Sequence, residues 1–338
     1  MRINFCLVAV LAMLPTHAQE LGEADRLEWQ AYQLAVAEAP GDAISDLLMA
    51  KSLDLLVSPY GEAGRSEPSQ LLVARAEVVA AQLHARVDAV RDSDPYLLGA
   101  DLGCGRSGDA AVCSERRAKL EPFAGDDAYH GLLLMVAAWG AGDAEGFLRA
   151  ARLAANAESY NSAPASGFGS LVARYRQVPP PSAQHADHLA RGHGPEVTAM
   201  SLAMAISLPN FLDFTRPCRE SEGELRRHCL AIANRMMAQG SNLIETWIAQ
   251  SVVEALGTPA DTEAAKAMRR ETAWLQAQSH PLMVAAAHGP VAGFDAYFDA
   301  YARSGELAAM RALLEVHGIP PAPPADWSPE GPRSASAP

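Results

Sequence analysis

Apolar residues recur at intervals of three and four along most of this chain, and runs that alternate apolar with polar are nearly absent. A helix turns once in 3.6 residues, whereas a strand changes face every second residue, so the pattern admits helices and argues against a sheet. Leu72, Ala76, Val79, Leu83, Val87 and Val90 predict one long amphipathic helix after Ser66. Ala144, Phe147, Leu148, Ala151, Ala154 and Ala155 predict a second. Phe294, Tyr297, Phe298 and Tyr301 form an aromatic stripe at the same spacing, expected to pack in a core. Alanine, the strongest helix former, is abundant throughout.

The breaks between helices are also legible. Gly140-Ala141-Gly142-Asp143 should end one helix and cap the next with Asp143, and Gly257 to Asp261 should do the same later. Asn242 followed by Glu245 has the spacing of a capping box. Gly318 and Pro320 should stop the last helix, and Val197 to Phe214 reads as a buried helix and the turn after it. Such short connections join antiparallel neighbours. The predicted fold is all-α: antiparallel helix pairs forming either an α-solenoid or two helical subdomains. The order helix, polar turn, apolar helix ending in glycine, capped helix occurs after Cys113 and again after Cys229, pointing to two related halves.

Successive helix pairs, small residues such as Ala150, Ala151 and Ala154 at packing positions, and the Gly-x-Gly-Asp turn resemble α-helical repeat proteins of the tetratricopeptide-like kind. The resemblance is one of architecture over Leu21 to His317. A regular 34-residue period and its consensus residues do not recur. What it implies is protein or peptide binding in a groove between stacked helices.

Arg2, the apolar run Phe5 to Leu14, Pro15 and Ala18 have the order of an export signal, so residues 1–18 are expected to be a cleaved signal peptide. The apolar run is too short to span a bilayer, and no later segment is a credible span, so no stable membrane anchor is expected after cleavage. The expected location is periplasmic or secreted. Cys104, Cys113, Cys218 and Cys229 then remain, in two close pairs. Their spacing suits neither a zinc site nor a Cys-x-x-Cys redox motif, and an oxidising compartment favours local disulfides, Cys104 with Cys113 and Cys218 with Cys229. Four cysteines allow three connectivities, and spacing alone leaves them open.

The whole chain carries 27 basic and 40 acidic residues. Without a basic block it is a poor match for nucleic acid. The one constellation with metal-ligand chemistry is His185, His188 and His193; on a helix the first two would share a face, but no His-Glu-x-x-His arrangement is present. Glu220-Ser221 invites comparison with helical lytic transglycosylases, yet the surrounding motifs of that family are missing, and a solvated helix start is the expected role. No serine-nucleophile elbow or phosphate-binding loop occurs. No catalytic residue and no cofactor are assigned. The expectation is a non-enzymatic exported module binding a protein or peptide; the alternative is an envelope hydrolase or metal-dependent enzyme using the three histidines. The expected organisation is an N-terminal helical half over 19–180, a C-terminal half over 181–319, and a disordered tail over 320–338 carrying seven prolines. Tyr160 to Ser166 should be loosely ordered.

Overall fold

The structure, a computed structural model, describes residues 23–57, 67–100, 102, 110–179, 194–207, 209–286 and 291–329. Among these residues every regular element is helical, apart from one isolated bridge between Asp127 and Ser159. The helices are α1 (Glu23–Glu38), α2 (Ala43–Val57), α3 (Glu67–Val90), α4 (Pro95–Ala100) and α5 (Ala110–Leu120). They continue with α6 (Ala128–Gly140), α7 (Ala144–Asn156), α8 (Ala163–Tyr175), α9 (Gly194–Ser207) and α10 (Leu212–Arg219). The last are α11 (Gly223–Gln239), α12 (Leu243–Leu256), α13 (Pro259–Ala286), α14 (Phe294–Ser304) and α15 (Glu306–Val316). The all-α expectation therefore holds, and the helices pack in neighbouring pairs. They divide into two compact units, neither continuous in sequence: one holds residues up to Ser93 with Ser166–Ser207, the other Asp94–Ala165 with Leu208 onward. Each unit draws on both sides of residue 180.

In the first unit α2 and α3 pack along their lengths, with Asp46 near the start of α2 bonded to Arg86 near the end of α3. Of the expected periodic face of α3, Ala76, Val79, Leu83 and Val87 are buried, with Ala80 beside them, while Leu72 is half-buried and Val90 at the helix end is exposed. Burying each large aliphatic side chain contributes about 1.5–3 kcal/mol. A feature no periodicity signals is Arg174 on α8, whose side chain is fully buried. Its Nε donates to the carbonyl of Val36 at 2.8 Å and its Nη2 to that of Ala37, two acceptors at the end of α1. Its Nη1 donates to Asp46 Oδ1 at 2.7 Å. A cation thus meets the negative end of α1 and a carboxylate in the first turn of α2, tying three helices at one point.

The second unit is built from helix hairpins. Asp143 caps α7 as expected, its Oδ1 accepting from Gly146 N–H at 2.8 Å. The small residues Ala150, Ala151 and Ala154 are buried. Gly131 on α6 packs so closely that a Cβ there would lie 2.5 Å from that of Ala154. At the later turn the helix starts before Asp261. Thr258 is the cap, Pro259 opens the helix, and Asp261 returns a bond to Thr258 N–H at 2.9 Å. The two segments of similar sequence, α5 to α7 and α11 to α13, both lie in this unit, with α7 packed on α11. The aromatic stripe on α14 is buried as expected. Residues 320–329 of the proline-rich tail run along α13. Trp327 meets Trp274 edge-on, and Arg270 Nε donates to Trp327 O at 2.9 Å. Trp274 Nε1 donates to Pro320 O at 2.8 Å.

Candidate functional site

The disulfide expectation is met at Cys218–Cys229, which joins α10 to α11 with both cysteines buried. Cys113 on α5 is also disulfide-bonded. Cys104 lies outside the described residues, as do His185, His188 and His193 and residues 1–18. Among the described residues, no group of three or more His, Cys, Asp or Glu is placed to hold a metal ion. Nor is any described helix long and apolar enough to cross a membrane. Glu220 is exposed on the turn after α10, 3.7 Å from Arg216, while Ser221 turns inward and its Oγ donates to Cys218 O at 2.5 Å.

A cluster of ionisable groups in the second unit lies where α12 and α15 begin. Glu245 occupies the third position of α12, after the cap Asn242, whose Oδ1 accepts from Glu245 N–H at 2.9 Å. The spacing is that of a capping box, but the return arm reaches one residue further back: Glu245 Oε2 accepts from Ser241 N–H at 3.1 Å. In an ordinary capping box this carboxylate is washed by solvent. Here its exposure is 0%, and two residues of the 157–162 segment are bonded to it. Tyr160 Oη donates to Oε1 at 3.1 Å and Ser162 Oγ to Oε2 at 3.0 Å. Tyr160 N–H in turn donates to Gln239 Oε1 at 2.7 Å. The covering segment is anchored from its other side by Asp127, the cap of α6, which accepts from Asn161 N–H at 3.1 Å and from Asn161 Nδ2 at 2.9 Å.

Glu306, the first residue of α15, completes the cluster. Its carboxylate accepts from Leu243 N–H at 2.9 Å, and its own N–H donates to Ser241 O at 2.5 Å. The two helix starts thereby cap each other. Gly305 makes the approach feasible: its φ is +79°, and a Cβ would stand 2.2 Å from Ser241 O. Burial pushes Glu245 up to about 7, against the lowering pull of its hydrogen bonds from Ser162, Tyr160 and Ser241. Burial raises Glu306 as well, opposed by Leu243 N–H. Tyr160 and Tyr301 are held well above the usual phenol value by burial and by the carboxylates beside them. His130, on α6 and packed among Tyr96, Phe123 and Tyr129, is pushed down by burial against the pull of Asp127 and Asp94.

Chemically this is a fully buried carboxyl, Glu245, beside the half-buried Glu306, with hydroxyl neighbours that can donate or accept. Sequence reading reached Asn242 and Glu245 through the capping spacing alone. It missed Tyr160 and Ser162, which fall in a stretch read as loosely ordered; instead both are buried and α8 starts at Ala163. The only local signal was a tyrosine in an otherwise small, polar segment.

Fold and cluster together define an all-α protein of paired helices with a buried glutamate where two helix starts meet. Compared with protein-family models, with curated proteins and with solved structures, the chain matches none.

Proposed function

We propose that the protein is an exported, non-enzymatic helical interaction module of the tetratricopeptide-like kind, binding a protein partner through an exposed face of α3. The observation that supports this is a second apolar stripe on that helix. Leu71, Ala74, Val78, Ala81 and Ala85 are all exposed, at intervals of three and four, on a helix whose other apolar face is already buried. Leu71 is 68% and Val78 58% exposed. Three-four spacing is the seam on which a second helix seats its side chains, and alanines between the larger residues let a backbone come close. The partner chemistry that fits is an amphipathic helix of another protein.

The test is a photo-crosslinking residue at Ala81 in the mature protein, exposed to envelope extract, with metal analysis of the same purified sample. A stoichiometric adduct that disappears in the Leu71→Glu/Val78→Glu variant, whose melting temperature is unchanged, supports the reading. No adduct above the control overturns it. A stoichiometric transition metal, lost together with a hydrolytic activity in His185→Ala, replaces it with the metal-enzyme alternative.

A further inference from the structure

We propose that the Glu245–Glu306 cluster is a pH-sensitive clasp: residues 157–162 are held on the starts of α12 and α15 when Glu245 is protonated and are released as it ionises. The geometry that carries this is a carboxyl group with no exposed surface, bonded at once to its own helix start through Ser241 and to a separate chain segment through Tyr160 and Ser162. A capping carboxylate needs no such cover. Although the donors of the cover favour the charged form, a carboxyl taken wholly out of water, with no cation paired to it among the described residues, is opposed to ionising.

The surroundings fix the direction. The second unit presents Glu306 from α15, Tyr301 from α14, Tyr160 from the covering segment, and Tyr129 with Asp127 from α6 behind it. From α11 come neutral Gln239 and Arg235, the latter committed to the carbonyls of Ala154 and Ala155. Among the described residues no Lys, Arg or His forms an ion pair with Glu245 or Glu306. Every titratable side chain bonded to or raised by Glu245 is thus acidic or phenolic, and an ionised Glu245 has only amide and hydroxyl dipoles and the two helix starts to offset its charge.

An acid whose value is raised on folding binds its proton more tightly when folded. The stabilisation is complete below the ordinary glutamate value of 4.5 and is lost as pH rises toward about 7. The predicted readout is amide hydrogen exchange, corrected for intrinsic rates, at pH 5.5 and pH 8.0 on the full chain. Opening of residues 157–162 and of the start of α12 should increase at least roughly 10-fold at the higher pH. Opening at the disulfide-linked α10–α11 pair should not change in step.

Glu245→Gln keeps an acceptor for Ser241 N–H and cannot ionise, so its two profiles should agree within about twofold. Equal protection of the native protein at both pH values overturns the proposal, as does a Gln variant that keeps the native pH response. Should that variant not fold, carboxyl-carbon NMR of the native protein decides. A glutamate titrating near neutrality, and missing from a Glu245→Asp control at that position, supports the clasp. The absence of any carboxyl titration above pH 6 overturns it.

Discussion

Replacing Arg174 with methionine tests whether one buried cation holds the first unit together. The stem of methionine fills much of the same channel, so the change removes the guanidinium bonds more than the packing. Three consequences can be separated. Asp46 loses its 2.7 Å bond to Arg174 but keeps Arg86, whose Nε and Nη2 lie 2.7 and 2.9 Å from its two oxygens. The Val36 carbonyl keeps the Ala39 N–H at 3.2 Å. The Ala37 carbonyl loses the donor that Arg174 supplies. Removing one partner of a buried ion pair costs about 3–5 kcal/mol when the other charge is stranded. Because Arg86 stays on Asp46, the lower end applies, about 3 kcal/mol, of which leaving the Ala37 carbonyl bare accounts for about 1–3.

Arg86→Met is the internal control. Arg86 is 53% exposed and its removal leaves Asp46 on Arg174, so it should cost no more than about 1 kcal/mol. The assay is urea denaturation at pH 7, read by tryptophan fluorescence and by exchange protection of α1 and α2. Similar losses for the two variants, or a loss below about 1 kcal/mol for Arg174→Met, would refute the reasoning.

Other consequences are as direct. Cys218→Ser with Cys229→Ser opens a link between residues eleven apart, and should lower stability by about 2.5–3 kcal/mol on the chain-entropy model, measured as the denaturation midpoint of the second unit. A midpoint unmoved by the double change, or by reductant, would show the bridge to be dispensable. Gly305→Ala forces a side chain into the left-handed region and against Ser241 O, so it should destabilise by about 2–4 kcal/mol. A loss under about 0.5 kcal/mol would mean that the α12 and α15 starts do not depend on their close approach.

Local patterns carried a large part of the architecture. The faces of α3, α7 and α14 follow from three-four spacing, because a helix that buries one side must repeat its apolar residues at the helical period. Asp143 and Asn242 were legible as caps, because a first turn leaves amide donors that a nearby side-chain oxygen satisfies. The later cap was misplaced by three residues: in Thr258-Pro259-Ala260-Asp261 either end of the capping pair can be taken for the cap, and only the observed helix start decides between them.

What the sequence alone determined is the helical class, several helix faces and two caps; the Cys218–Cys229 pairing was one of three connectivities until the packing of α10 on α11 chose it. The class, faces and caps are set by residues within about a dozen positions of each other, where backbone periodicity and short loops restrict the outcome. Tertiary structure alone decided that Arg174 closes the end of α1, 137 residues away at Ala37. It alone decided that Tyr160 and Ser162 bond to Glu245, 85 and 83 residues distant. A charged or hydroxylated side chain has the same local signature in solvent as in a core. Only the partners brought to it by packing determine whether it stays solvated, pairs, or shifts its affinity for a proton.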